Sequence, residues 1–203
     1  MSVRKTLGII LGSGLLLGAA HVSATPPTAS MLADTCAGCH GPDGSSVGPA
    51  IPSIAGMSAE YFNTTMGEYK AYKLDEEGNL EAGRYGTIMN RIAKGYTDEE
   101  IALMADFFAG KEFVRYAQNV DAEKVKAGAK LYDKNCEKCH EDNGASPGDD
   151  AGILAGQWLP YLNYSMVDFT SGRRDMPKKM KKKVEKLSAD DIEALMHFFA
   201  SQQ

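Results

Sequence analysis

Beyond residue 24 no stretch of this chain is apolar enough to cross a bilayer, which takes roughly 20 consecutive apolar residues. No helical membrane span is expected in the body of the chain. Positive charge is also short: 22 Lys and Arg stand against 27 Asp and Glu. So acidic a chain is a poor partner for nucleic acid. No segment alternates apolar and polar residues as a half-buried strand must, so the fold class reads as all-α. Cysteine is scarce. All four cysteines fall in two Cys-x-x-Cys pairs, with none left over.

Residues 1–24 stand apart. Arg4 and Lys5 form a charged head, Leu7 to Ala20 is an apolar run broken by glycines, and Val22-Ser23-Ala24 offers the small residues a signal peptidase reads. The expectation is a signal peptide at 1–24, cleaved after Ala24, that delivers the remainder to the periplasm. The run is shorter than a spanning helix, so no membrane span is expected after cleavage. Losing Arg4 and Lys5 makes the formal charge more negative than the −5 of the whole chain. Export also bears on the cysteines. In an oxidising compartment two disulfides are the default reading, and zinc or an iron–sulfur cluster on four thiolates is the next.

Neither accounts for the histidine that follows each pair. Cys36-Ala37-Gly38-Cys39-His40 and Cys136-Glu137-Lys138-Cys139-His140 share the form Cys-x-x-Cys-His, the attachment signal of a c-type haem. The chemistry sets the spacing. Two thiols add across the two vinyl groups on one porphyrin edge, and the next residue turns an imidazole nitrogen onto the iron. Two covalent haems are expected, bound through Cys36, Cys39, Cys136 and Cys139, with His40 and His140 each supplying one axial ligand.

The motifs belong to a longer repeat. At an offset of one hundred, Ile54-Ala55-Gly56 faces Leu154-Ala155-Gly156, and Tyr61, Asn63, Met66 and Tyr69 face Tyr161, Asn163, Met166 and Phe169. The register then shifts by nine, and Met89, Thr97, Ile101, Phe107 and Phe108 face Met180, Ser188, Ile192, Phe198 and Phe199. The difference in length is confined to 71–87, which reads as a surface loop. Each half has one helix before the haem motif (29–35 and 125–135) and a second over 59–72 and 159–170. Each closes on an amphipathic helix that starts at Thr97-Asp98-Glu99-Glu100 or Ser188-Ala189-Asp190-Asp191, both capping-box-like. Two tandem domains follow, 25–114 and 115–203, with the boundary inside 111–122. Each is of roughly 90 residues, near the size where a small core needs a staple, and a covalent haem would provide it.

The ligand on the far side of each iron decides the function. An open site admits ligands and peroxidase-type chemistry, whereas a closed one confines the haem to electron transfer. Methionine sulfur is soft and neutral and favours ferrous iron. Of ten methionines, Met89 and Met180 each precede the cap of the closing helix by eight positions in polar surroundings, and they are the expected axial ligands. Met176, before Pro177, is the rival to Met180. Met66 and Met166 lie in apolar helical faces and read as packing. His21 leaves with the leader, and His197 reads as a surface or boundary residue. Trp158, Tyr161 and Tyr164 are expected to wall the haem pocket. Lys178, Lys179, Lys181, Lys182, Lys183 and Lys186 crowd around Met180, either as a solvated helix face or as a docking face for an acidic partner.

Across nearly the whole mature chain the pattern resembles the periplasmic dihaem cytochromes c built from two cytochrome c domains. Within that family it is most similar to the cytochrome subunits of flavocytochrome c sulfide dehydrogenases. The strings that carry the likeness are Cys36 to Gly41 with Val47-Gly48-Pro49-Ala50, and Thr87-Ile88-Met89 running into Arg91-Ile92-Ala93-Lys94-Gly95-Tyr96. In the second half they are the haem motif, Ile153-Leu154-Ala155-Gly156-Gln157-Trp158 and the ending Ala200-Ser201-Gln202-Gln203. The resemblance implies a partner flavoprotein that carries FAD and oxidises sulfide. This chain, not itself an enzyme and with no catalytic residue, would pass the electrons to a soluble cytochrome c. The alternative is a free-standing dihaem carrier delivering to a terminal oxidase. The resemblance further implies that a backbone carbonyl near a proline orients the proximal histidine. Pro52 fits that role in the first half; the second has Gly152 at the equivalent place, so a different carbonyl is expected to serve there.

Overall fold

The computed structural model describes residues 25–148 and 151–203, and the expected leader at 1–24 lies outside them. In the first half, α1 (Ala29–Asp34) leads into the haem motif, α2 (Ala59–Ala71) follows it, and α3 (Asp98–Ala109) closes the unit. In the second half the same plan gives α4 (Ala122–Asn135), α5 (Leu159–Thr170), α6 (Lys178–Val184) and α7 (Ala189–Ser201). Polar side chains fix most starting points by satisfying amides that the first helical turn leaves unbonded. Thr28 caps α1, Ser58 caps α2, and Asp121 takes the amides of Glu123 and Lys124 at the start of α4. Thr97 with Glu100, and Ser188 with Asp191, complete the two expected capping boxes.

One expectation is corrected. The insertion at 71–87 contains a short antiparallel ribbon, β1 (Lys73–Leu74) with β2 (Leu80–Ala82). Strands of two and three residues are too brief to show alternation in sequence. Nor is the insertion merely a surface loop. It carries Arg84, which is 3% exposed.

Each half has its own core. Phe62, Met66, Ile101, Met104 and Phe108 fill the first, where α1 and α2 both pack on α3. Tyr132, Leu162, Met166, Leu195, Phe198 and Phe199 fill the second, where α7 packs on α4 and α5. Several residues paired by the repeat lie in the cores, Ile101 and Phe108 in the first and Phe199 in the second among them, and Met66 and Met166 pack there too. The crossing of α4 and α7 is close enough to need Gly128, since a Cβ there would collide with the carbonyl of Ala194. Gly128→Ala is expected to cost about 1–3 kcal/mol through overpacking, read as a fall of several degrees in the second domain's melting temperature.

A third, smaller cluster lies between the halves: Met57 and Tyr61 from the first, Ile153 from the second, and Phe113 from the connecting segment. That segment runs along the second domain. Tyr116 stacks on Trp158 at 5.7 Å between centroids. The Gln118 side chain donates to the carbonyls of Gln157 and Ala200 and accepts from the amide of Leu159. The two halves thus meet over a packed, hydrogen-bonded surface.

Candidate haem centres

The first motif forms one helical turn after α1. His40 is 8% exposed, and its Nδ1 lies 2.8 Å from the carbonyl oxygen of Pro52. A carbonyl can only accept, so Nδ1 donates and the lone pair of Nε2 is left for a metal. Burial holds the imidazole below its ordinary pKa, which keeps it neutral. Cys36 is half-buried and Cys39 exposed, and burial pushes the Cys36 thiol up.

In the second motif Cys136 is half-buried, Cys139 is exposed, and burial pushes the Cys136 thiol up to about 11. The phenol of Tyr132 donates to the His140 carbonyl at 2.7 Å and accepts from the Asn143 amide at 2.9 Å, fixing the turn. His140 is also held below the ordinary imidazole range by burial. Its Nδ1 differs from that of His40. It is buried and has no hydrogen-bond partner among the described residues, so Gly152 does not replace Pro52. None of the four cysteines is paired in a disulfide. The two pairs belong to separate domains, and no group of three or more potential metal ligands forms among the described residues. The arrangement therefore gives no four-thiolate site among the described residues.

Met89 begins a single helical turn, Met89–Ile92, and packs half-buried on the first core together with Cys36. Met180 lies in α6 and packs half-buried on the second core together with Cys136. Met176 is half-buried too but is not part of that core. His197 is taken up elsewhere: its Nδ1 accepts from the Asp121 amide at 3.0 Å and so ties α7 to the start of α4. All six lysines around Met180 are exposed, and Lys181 reaches Glu185 only at 4.0 Å.

The interface holds residues that sequence reasoning missed or misplaced. The backbones of Arg84 and Arg174 pair as an antiparallel bridge across the two domains, and Tyr85 donates its amide to the Arg173 carbonyl. The buried Arg84 guanidinium stands 5.0 Å from the Tyr69 ring centroid and 3.5 Å from the Tyr161 hydroxyl, and its Nε has no partner among the described residues. Burial opposes its charge, but the phenols of Tyr161, Tyr69 and Tyr61 favour it and hold its pKa above the ordinary value. Burial alone would raise Tyr61, yet Arg174 and Arg84 outweigh it and lower its pKa, while burial raises Tyr69 to about 12. Trp158 was expected to wall a haem pocket. Its Nε1 donates to the Ser46 carbonyl of the first domain at 3.0 Å, and Tyr164 is 59% exposed.

These residues suit a haem. Each half offers a thiol pair on a turn, a neutral imidazole, and a thioether on the same core as the first cysteine. The unpartnered Nε of Arg84, five positions before Met89, would suit the carboxylates that a haem carries. Two helical domains so equipped define a dihaem c-type cytochrome.

Residues 28–110 match the family Cytochrome c, and residues 123–199 match Cytochrome C oxidase, cbb3-type, subunit III. Cytochrome c4 of Azotobacter vinelandii is 30% identical over 95% of each chain. The cytochrome subunit of sulfide dehydrogenase from Chlorobaculum tepidum is 43% identical, over 44% of this chain and 74% of its own. The structure of reduced recombinant cytochrome c4 from Pseudomonas stutzeri superposes with a TM-score of 0.73 at 25% identity, covering 88% of this chain and all of that one. The chain belongs to the dihaem cytochrome c family and is cytochrome c4-like. It carries two covalent haems c and is an electron carrier rather than a catalyst. No helix among the described residues is long and apolar enough to cross a membrane.

Proposed function

We propose that this chain works in the periplasm, accepting electrons from a sulfide-oxidising FAD flavoprotein and passing them to a soluble cytochrome c. Its domains are 25–114 and 115–203. Cys36 and Cys39 hold one haem and Cys136 and Cys139 the other, with His40 and Met89 as the axial pair of the first iron. His140 and Met180 serve the second, Met176 being the rival. The haems, when bound, supply one-electron ferric–ferrous chemistry.

The observation that carries the electron-transfer reading is the packing of each nominated methionine on the same core as the first cysteine of its motif. A sulfur so held would be available to ligate the iron opposite the histidine, which would keep substrate off it. The chain's own residues bind and orient the cofactor and exclude water, and the substrate chemistry falls to the partner. Reduced flavin gives up two electrons, and two one-electron centres can take them singly. The 43% identity to a cytochrome subunit of sulfide dehydrogenase supports this donor. The exposed lysines around Met180 supply docking ground for an acidic partner.

A second reading, a free-standing carrier delivering to a terminal oxidase, is favoured by similarity to cytochrome c4 along the whole chain. Native purification separates the two. A flavin-containing chain that copurifies and reduces both haems on addition of sulfide is the expected result. A flavin-free monomer that sulfide leaves oxidised selects the second reading.

A further inference from the structure

We infer that Gln157, from the second domain, is a positioning residue for the imidazole of His40 in the first. The acceptor for His40 Nδ1 is the carbonyl of Pro52, the residue before Ser53. Gln157 holds Ser53 at both ends of its backbone: the Ser53 amide donates to Gln157 Oε1 at 2.9 Å, and Gln157 Nε2 donates to the Ser53 carbonyl at 3.0 Å. This side chain thus acts as one rung of a strand pairing, and both partners are almost wholly buried, at 1% and 2% exposed. Buried bonds of this kind are costly to leave unmade, which makes the clamp selective for one loop position.

The rest of the loop is gripped from the same side. Trp158 holds the Ser46 carbonyl, the Ser46 hydroxyl donates to the Ile51 carbonyl at 2.7 Å, and the Ser46 amide donates to Ser53 Oγ at 3.1 Å. Gln157 is itself anchored, its own carbonyl accepting from Gln118. A rigid chain of bonds therefore runs from the second domain to the carbonyl that orients His40.

The repeat provides an internal comparison. Met57 stands where Gln157 stands, and Ile153 where Ser53 stands. Met57 Sδ accepts from the Ile153 amide at 3.2 Å. Sulfur is a weak acceptor and returns no donor, so among the described residues Ile153 takes one weak bond across the interface where Ser53 takes two amide bonds. A firmly accepted Nδ1–H makes an imidazole the better electron donor, which stabilises ferric iron. The clamp accordingly lowers the potential of the first iron and leaves the second as it is. The inference rests on His40 being an iron ligand.

The test uses the full-length dihaem protein with Gln157→Met, which gives the first loop the grip of the second, and Met57→Gln as a companion. Gln157→Met is expected to speed solvent exchange of the His40 Nδ1 proton, followed by NMR, about tenfold, the equivalent of one net hydrogen bond. It should also raise the potential of the first haem alone. Met57→Gln should leave both His40 readouts unchanged. Unaltered exchange and potential in Gln157→Met overturn the inference. So does a parallel shift of both haems with a lowered melting temperature, which reports a loosened interface rather than positioning. His40→Ala checks the premise separately: if the first haem stays low-spin in that variant, the ligand assignment and the inference fall together.

Discussion

Met180→Ala leaves one haem low-spin and turns the other high-spin, opening a carbon monoxide site that the parent protein lacks. Alanine cannot reach an iron, and of the other thioethers near the second core Met166 and Met196 are buried within it and Met176 lies off it. The weak near-infrared band from sulfur to ferric iron should fall by about half, as one of two equal contributors is removed. Met89→Ala should do the same for the first haem, and the double variant should abolish the band. Met180 is only half-buried in a short helix with no fully buried residue. Its truncation should cost about 2 kcal/mol, the low end for buried methionine, so the domain stays folded and the spectrum reports ligation. A Met176→Ala variant that loses the band while Met180→Ala keeps it would transfer the ligand to Met176.

The repeat made the two haem centres legible and left the surface between them obscure, for physical reasons. A covalent cofactor imposes the same cysteines and histidines at the same spacing in both halves, so self-comparison finds them at once, and it sets Met89 against Met180 only after the register has shifted by nine. An interface between two unlike halves imposes no such symmetry. Gln157 faces Met57 in the alignment and looks like a lost match, although the difference is what lets one loop be clamped by two bonds and the other by one. Arg84 falls inside the insertion, where the register breaks and nothing in the second half can be set against it. Trp158 follows the repeated Leu154-Ala155-Gly156 and reads as pocket wall by proximity, yet its indole nitrogen reaches the other domain. The ribbon at 73–82 was too short to leave a pattern. Helix starts were the easiest to read, because a cap is a local hydrogen bond that Thr97 or Ser188 makes without help from the rest of the fold.

Serine at both Cys136 and Cys139 should unfold the second domain outright, the largest effect expected of any change to the chain. A core of this size supplies only about 3–5 kcal/mol by itself, and the residues that would face a haem lose their burial when it is not attached. His140 worsens the balance, because its buried Nδ1 already lacks a partner among the described residues and an empty pocket offers none. The measurement is far-ultraviolet circular dichroism on the monohaem variant. It should lose the helix signal of α4, α5 and α7 while the remaining haem still absorbs. Damage should then spread in one direction. The first domain receives Gln157 and Trp158 from the second, and both hold the loop that carries Pro52. Its haem should therefore melt at a lower temperature than in the parent protein, with the His40 hydrogen bond loosened before the core of Phe62 and Phe108 gives way. A variant that melts cooperatively at the parent temperature would sink the idea that the haem is the staple. A first haem that melts unchanged beside an unfolded second domain would show that the interface transmits nothing, and that each half stands on its own core.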